Sequence, residues 1–503
     1  MTDAETALDN LIARSEQVPL AIGIPALHAQ LRELANSNFL IRKKPWLNAA
    51  ELLRISKLVY LNGSGSKRSI QVDFAALLNA NKELWRASDA QTTYTDDPQF
   101  LGSFILRFVY QQLPANITSR KVESNYLRAV ALYGGQSEAA LKLRKQFESS
   151  SGIGLERFLN IAAALYLIFM RESSIADYRV FEMLSERFDH AEISRALRIL
   201  SATRRQLRRY HEGVAAKSPT SSPYEFNAIY RFPILQHDDR YWCVFPELIN
   251  YAATRGLYFY ISDGLGQSFS AAFADAYEEY MRQLCVDFLG SERVITEKIE
   301  RGLGWDGKTN DLTLILGEAA ILLECKNSGL FSLSKRTAEV VDLASDIRKN
   351  LANAEKGKGL FQLYDKIEAI RLGQVPEKVK ALYANVKRFY PVVLLHDEIW
   401  YANQSEALKN LIDMELRKNG IVDFDYQIWH VEEFQTLIKL VSADRLLDVI
   451  AEKYADPHFR QWDLSTYLGQ LYKLADLDLS LFVPSGESKP WGLLRRLADA
   501  NRR

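Results

Sequence analysis

The chain has 503 residues, with 63 Lys plus Arg and 63 Asp plus Glu, so its formal net charge is zero. That balance excludes a small domain that binds nucleic acid through overall basic charge, and any such contact has to be a local patch. A hydrophobic content of 48% and a charged content of 25% are those of an ordinary globular protein. The length predicts two to four domains at roughly 150 residues each.

The cysteines and the amino terminus indicate the cellular compartment of the protein. Cys243, Cys285 and Cys325 are far apart and lie among apolar residues, which is typical of reduced, buried thiols. Residues 1–5 are acidic where a signal peptide is basic and then apolar. The longest apolar run, residues 161–170, is shorter than the ~20 residues of a membrane span. We therefore expect a cytoplasmic protein with no membrane partner.

Residues 1–216 predict a large all-α amino-terminal domain that serves in sensing or interaction. Their apolar residues recur at spacings of three and four, as in Leu8, Leu11 and Ile12. Near the end of this part, residues 204–209 carry four arginines at a predicted helix end. They are either a ridge that contacts phosphate or a solvated helix end whose cations complement the helix dipole.

Residues 217–264 predict a linker followed by a β-hairpin. Prolines and serines at 217–223 cannot continue a helix, and two aromatic-rich strands, 228–235 and 240–245, then flank the turn 236–239. His237 stands beside two aspartates, but residues of this kind usually serve the geometry of a turn rather than a metal.

Residues 265–440 predict an α/β domain with a mixed sheet flanked by helices, and residues 441–503 a small helical carboxyl-terminal cap. A helix at 267–288 carries an apolar stripe, and strands and helices then alternate, which is typical of a partly parallel sheet. The predicted strands are 293–300, the two around residues 317 and 318, 389–396 and 426–431, and the predicted helices between them include 337–354 and 360–368.

The two strands joined at Gly317 and Glu318 have a register that the turn fixes. Gly as the first central residue suits a type II′ turn, because only Gly takes the positive φ there without strain. That turn sets Asp311 opposite Glu324, and the period of two along a strand brings Lys326 to the same face. Two carboxylates this close repel unless a cation lies between them, and hard oxygen ligands suit Mg²⁺ or Mn²⁺.

Asn310-Asp311, a hairpin, and then Glu324-Cys325-Lys326 resemble the active-site signature of the PD-(D/E)xK nuclease superfamily. Asn310 stands where the family often has Pro, and the resemblance covers roughly residues 265–435. It implies a restriction-endonuclease-like α/β core and hydrolysis of phosphodiester bonds. In that reading, Asp311, Glu324 and the Cys325 carbonyl hold Mg²⁺ or Mn²⁺, while Lys326 orients the attacking water or stabilises the developing charge.

The resemblance also implies two supporting residues. Superfamily members commonly carry a Glu on the helix before the Asp strand, and Glu278 is the candidate in preference to Glu279. They often carry a Gln or a basic residue on the helix after the Glu-x-Lys strand, where Gln362 is the candidate. An ordinary solvated side chain is the alternative for both.

Nucleic acid is the partner that the resemblance implies. DNA is the expected substrate, as in a bacterial anti-phage defence effector with a phage-derived or protein trigger. An RNA-cleaving enzyme of the same fold, for example one acting on transfer RNA, and a catalytically inactive binding protein are the alternatives, and the oligomeric state is left open. Trp305 could stack on the bases of either nucleic acid. The candidate contacts to the phosphate backbone are Lys308, Lys335, Arg336, Lys356 and Lys358.

Overall fold

The computed structural model describes residues 3–36, 49–64, 74–90, 122–215, 228–327, 340–396, 406–460 and 464–472. Within these ranges the chain is a mixture of helices and β-sheets, as the sequence predicts. Some predicted features lie outside the described residues. They are the linker at 217–227, the Lys335 and Arg336 pair, and the predicted cap from residue 473 onward.

The described amino-terminal part of the chain is mainly helical. Its helices are α1 (Asp3–Glu16), α2 (Leu20–Asn36), α3 (Ala49–Asn62), α4 (Phe74–Ala90), α5 (Val122–Gly134), α6 (Glu138–Ser151), α7 (Leu155–Phe169), α8 (Asp177–Leu184), α9 (His190–Leu200) and α10 (Arg204–Ala215). Two strands of three residues interrupt this series, β1 (Ser174–Ala176) and β2 (Ser201–Thr203).

Strands and helices alternate in the rest of the chain. The strands are β3 (Ile234–His237), β4 (Arg240–Cys243), β5 (Val294–Thr296), β6 (Leu312–Leu316), β7 (Ala319–Lys326), β8 (Ala352–Asn353), β9 (Lys358–Gly359), β10 (Arg388–Leu395) and β11 (Gln427–His430). The helices are α11 (Glu247–Ala253), α12 (Leu257–Leu265), α13 (Gln267–Leu289), α14 (Glu297–Gly302), α15 (Val340–Asn350), α16 (Leu360–Arg371), α17 (Glu377–Leu382), α18 (Glu406–Lys418), α19 (Val431–Leu440), α20 (Leu446–Ala455), α21 (Pro457–Arg460) and α22 (Leu464–Leu471). Short 3₁₀ turns lie at Ala228–Tyr230 and Ser291–Arg293.

The predicted hairpin before residue 264 belongs to a four-stranded sheet in the order β1-β4-β3-β2. Asp238 and Asp239, with φ of 48° and 53°, form its turn, as expected for a two-residue connection that needs positive φ at both positions. β1 pairs with β4 and β2 with β3, so the amino-terminal half contributes two strands of the sheet. The prediction of an all-α amino-terminal domain is therefore wrong at these strands.

The larger sheet has the order β11-β10-β7-β6-β5. β6 runs antiparallel to both β5 and β7, whereas β10 runs parallel to both β7 and β11, so the sheet is mixed. One face, which includes Leu314 and Ile321, is buried in the same core as Phe273 and Tyr277 of α13. The opposite face, which includes Leu322, is buried with residues of α16 and α18. Both faces are thus covered by helices.

The predicted domain boundaries do not separate independent cores. A single cluster of buried apolar residues includes Tyr126, Cys243, Phe273, Leu323 and Leu468. It therefore continues across residues 216, 264 and 440, where the predicted boundaries lie. The last described helices belong to this cluster, and the Tyr454 hydroxyl donates to the carbonyl of Pro391 in β10 at 3.0 Å.

Helix α7 is strongly apolar and contains residues 161–169, most of the longest apolar run in the sequence. Phe158, Ile161, Leu165 and Phe169 are fully buried in the core. Among the described residues, no individual helix has both the length and the apolarity of a membrane span. Helices α6 and α7, bent by 67° at their break, reach that length and composition only as a pair.

Two predicted elements have different bounds in the structure. The predicted strand 293–300 is β5 followed by α14, and the Thr296 hydroxyl caps that helix by accepting from the Ile299 amide at 3.3 Å. The arginine-rich residues 204–209 begin α10 and do not end a helix. Arg204 and Arg208 donate to the carbonyls of Tyr60 and Leu61 in the last turn of α3. The prediction that these arginines end their own helix is therefore wrong, and two of them instead satisfy carbonyls at the carboxyl end of α3.

Candidate metal centre

The hairpin of β6 and β7 has the predicted register. Leu312 pairs with Leu323 and Leu316 with Ala319, which leaves Gly317 and Glu318 as the turn. Gly317 has a φ of 61°, and a Cβ at this position would meet no atom within 4 Å. The backbone conformation, and not the available space, is therefore what requires glycine here. The register that sets Asp311 against Glu324 is confirmed.

Asp311 lies at the residue before β6 and is held by the neighbouring strand. The backbone amide of Cys325 donates to Asp311 Oδ2 at 2.6 Å. Burial raises the pKa of the Asp311 carboxyl well above its ordinary value, and the nearby Glu324 and Glu278 raise it further. The peptide edge of Cys325 thus faces Asp311, while its thiol is buried.

Glu324 is 3% exposed, and both of its carboxylate oxygens accept hydrogen bonds. Lys326 Nζ donates to Oε1 at 2.6 Å, and Gln362 Nε2 donates to Oε2 at 3.0 Å. Burial raises the pKa of Glu324, while Lys326 opposes the shift. Burial disfavours the ammonium of Lys326, but Glu324 and Asp311 outweigh it and raise the Lys326 pKa. Lys326 therefore remains an ammonium paired with Glu324.

Glu278 of α13 belongs to the same group of charges. Burial and the Glu324 carboxylate raise the pKa of Glu278 to about 7. Glu279, the next residue, is 42% exposed at its side chain and pairs with Arg282 at 2.6 Å. The structure thus brings Glu278, and not Glu279, to the carboxylates of the hairpin.

Gln362 reaches the site from the other face of the sheet. It lies in the first turn of α16, and besides Glu324 its Nε2 donates to the Thr309 carbonyl at 2.6 Å. Four parts of the chain therefore meet at the end of the hairpin: α13, the residue before β6, the end of β7, and α16.

The sequence did not reveal the residues behind this site. Lys366, one turn after Gln362 in α16, is fully buried, and its Nζ donates to Glu300 of α14 at 2.6 and 2.8 Å. It also donates to Asn310 Oδ1 at 2.5 Å. The spacing of four from Gln362 was the available signal, since such residues share a helix face. Nothing in the sequence indicates that the Lys366 ammonium is buried.

Three of the five predicted contacts to the phosphate backbone lie close together. Lys308 Nζ donates to the carbonyl of Lys356 at 3.0 Å, and Lys308, Lys356 and Lys358 are all exposed. They lie beside the amino-terminal end of α16, which carries Gln362. Trp305, in contrast, is 3% exposed in a small apolar cluster, so the prediction that it stacks on bases is wrong.

The side chains at this site are of the type that binds a hard divalent cation, but they are not arranged as a metal site in this structure. Among the described residues, no three His, Cys, Asp or Glu side chains are already arranged to hold a metal ion. Both carboxylate oxygens of Glu324 already accept hydrogen bonds, one from Lys326 and one from Gln362, so neither is free to bind a cation. The donor set is nevertheless all oxygen, and Glu324 raises the pKa values of both Asp311 and Glu278, while Glu278 also raises that of Asp311. A divalent cation that displaced one donor would relieve this repulsion.

Comparisons of the chain with protein-family models, with curated proteins and with solved structures gave no match. Any assignment of function therefore rests on the sequence motif and on the geometry of this site.

Proposed function

We propose that the chain is a metal-dependent nuclease of the PD-(D/E)xK type, with a restriction-endonuclease-like core, that hydrolyses the phosphodiester bonds of DNA in bacterial anti-phage defence. One observation carries the proposal. The five side chains that the sequence predicts for the site converge on the open end of one hairpin. They are Asp311, Glu324, Lys326, Glu278 and Gln362.

Asp311, Glu324 and the Cys325 carbonyl would hold Mg²⁺ or Mn²⁺. When bound, such a cation polarises the scissile phosphate and lowers the pKa of a coordinated water. Lys326, whose raised pKa keeps it charged, would stabilise the negative charge that develops on the phosphate. Glu278, with a pKa of about 7, can accept a proton from the attacking water near neutral pH. Gln362 would keep Glu324 oriented by its hydrogen bond to Oε2.

The exposed Lys308, Lys356 and Lys358 would contact the phosphate backbone of the substrate. Phosphate contacts position a nucleic acid without reading its sequence, so they suit DNA and RNA equally. The assay therefore includes both polymers, and cleavage of RNA alone would replace DNA by RNA in the proposal.

The experiment incubates the purified protein with plasmid DNA or with total RNA, each with Mg²⁺, Mn²⁺ or EDTA. We expect cleavage of DNA that EDTA abolishes. Glu324→Ala and Lys326→Ala should each lower the cleavage rate by at least about 100-fold while the far-UV circular dichroism is unchanged. Glu279→Ala is the matched control and should cleave as the native protein does. Retained cleavage in the Glu324→Ala/Lys326→Ala double variant would refute the proposal, and so would nucleic-acid binding that ignores EDTA and gives no product.

A further inference from the structure

A charged network lies directly behind the candidate metal centre, and it is buried throughout. Lys366 is 0% exposed and Glu300 1% exposed, and the two form an ion pair with Nζ–O distances of 2.6 and 2.8 Å. The hydroxyl of Tyr383 donates to the same Glu300 carboxylate at 2.5 Å. The ammonium of Lys366 also lies 5.2 Å from the ring centre of Trp305 and 5.5 Å from that of Tyr383.

A buried ion pair of this kind is a poor means of stabilising a fold. Removing two charges from water costs several kcal/mol per ion, and well-packed apolar residues often serve stability as well or better. Such a buried pair therefore suggests a role other than stability. The pKa of Lys366 is lowered by burial, and Glu300 opposes that shift.

The network ends on the residue that precedes Asp311. Besides Glu300, Lys366 Nζ donates to Asn310 Oδ1 at 2.5 Å and to Thr313 Oγ1 at 3.2 Å. Asn310 is 1% exposed, and its Nδ2 donates to the carbonyl of Leu312 at 2.5 Å and, across the hairpin, to that of Leu323 at 3.0 Å. With its acceptor held by Lys366 and by the Thr313 hydroxyl, which donates to Oδ1 at 3.0 Å, Asn310 ties the start of β6 to β7.

Asp311 lies next to this tie in the chain. It follows Asn310 directly, and the Cys325 amide donates to its Oδ2 at 2.6 Å. The same helix face that presents Lys366 presents Gln362, which holds Glu324. One helix, α16, thus reaches both carboxylates of the hairpin, Glu324 directly and Asp311 through Asn310.

We propose that Lys366 is a positioning residue that, through Asn310, fixes Asp311 against the Cys325 amide and so sets the geometry of the divalent-cation site. The cation part of this inference rests on the proposed function, whereas the positioning of Asp311 does not. It also accounts for the Asn at position 310, since a proline there could neither accept from Lys366 nor donate to Leu312 and Leu323.

The test separates positioning from stability by a matched control. Lys366→Met leaves Glu300 buried without its partner, so the double variant Glu300→Gln/Lys366→Met removes both charges and keeps a folded core. Lys453→Met is the control, because Lys453 is equally buried and its Nζ donates to Gln427 Oε1 at 2.7 Å, in a cluster that contains none of the site residues.

Two measurements are made on each variant: hydrogen exchange at the Cys325 amide, and the affinity for Mn²⁺ by isothermal titration calorimetry. In the double variant we expect the Cys325 amide to exchange faster than in Lys453→Met, and the Mn²⁺ dissociation constant to rise by about 10- to 100-fold. The control should keep the native Mn²⁺ affinity. A double variant whose amide exchange and Mn²⁺ affinity equal those of the control overturns the inference.

The results that would refute the proposed nuclease activity differ from those that would refute the role of Lys366. A native protein that binds no Mn²⁺ and cleaves no nucleic acid refutes the nuclease, and hydrogen exchange at Cys325 still decides the role of Lys366. If the Lys366 variants do not fold, Asn310→Ala keeps the ion pair and removes the link. Faster exchange at Cys325 in Asn310→Ala supports the inference, and unchanged exchange overturns it.

Discussion

Glu278→Gln should stabilise the metal-free protein at pH 8 and leave its stability at pH 4 unchanged. Burial and the neighbouring Glu324 raise the Glu278 pKa from 4.5 to about 7. A carboxyl with a raised folded-state pKa binds its proton more tightly in the folded than in the unfolded chain. Its contribution to stability is therefore intact below about pH 4.5 and is lost as the pH rises to about 7.

The magnitude follows from the size of that shift. Each pKa unit corresponds to about 1.36 kcal/mol, so charging Glu278 costs the folded protein up to about 3 kcal/mol above pH 7. Gln keeps the shape of the side chain without the charge. Unfolding entropy of ~2.1 cal/mol/K per residue gives about 1 kcal/mol/K for this chain, so the expected increase in melting temperature at pH 8 is roughly 3 °C.

The assay is a thermal melt of the native protein and the variant in EDTA at a series of pH values. Glu279→Gln is the control, because Glu279 is exposed and loses only its ion pair with Arg282, at a cost below about 0.5 kcal/mol. A melting temperature that Glu278→Gln raises equally at pH 4 and pH 8, or lowers at pH 8, would show that Glu278 is not buried among the other carboxylates.

Two further predictions concern parts of the chain outside the charged cluster. Gly317→Ala should cost about 1–3 kcal/mol because of the φ of 61°, while Gly302→Ala, which also has open space but no positive φ, should be neutral or stabilising in the same melts. Equal losses of stability in Gly317→Ala and Gly302→Ala would contradict the type II′ turn. Arg208→Met should lower stability by about 1 kcal/mol, because two of its N–H groups donate to the Leu61 carbonyl. Arg209→Met should not, and a loss of nucleic-acid affinity in Arg209→Met would instead favour the phosphate-contacting ridge.

The hairpin could be predicted from the sequence because its constraint is local. Gly317 and Glu318 determine the turn, and the alternation along each strand then determines which side chains share a face. The choice of Glu278 over Glu279 rested on the resemblance, through the aromatic residues Phe273, Tyr277 and Tyr280 that surround it in the sequence. In both cases the relevant spacing is short, so the register does not depend on distant parts of the fold.

Other elements were missed for specific reasons. β1 and β2 have three residues each, too few to show a period of two. The start of α10 did have a signal, since Thr203 and Gln206 form a reciprocal capping pair, with the Thr203 amide donating to Gln206 Oε1 at 2.8 Å.

Lys366 and Glu300 were missed because their burial depends on the tertiary structure. In the sequence, Lys366 looks like a solvated helix residue and Glu300 like the last residue of a strand. Only the packing of α16 on the sheet brings these two residues, 66 positions apart, together. The same packing explains why the face of the hairpin that carries Glu324 is not open to solvent, as an isolated hairpin would suggest. Leu322 on that face is fully buried beneath α16.

The arrangement has a consequence for how the metal-free and metal-bound proteins differ. In the absence of a cation, Lys326 and Gln362 satisfy the oxygens of Glu324, while Asp311 and Glu278 remain close to it with raised pKa values. A bound divalent cation would favour the ionised carboxylates and release protons, so its affinity should rise with pH through about 7. If the site only had to bind a cation tightly, an ammonium group such as that of Lys326 would not be expected to pair with Glu324. Lys326 is useful there only if it must already lie beside the phosphate when the substrate arrives, which is what the proposed hydrolysis requires.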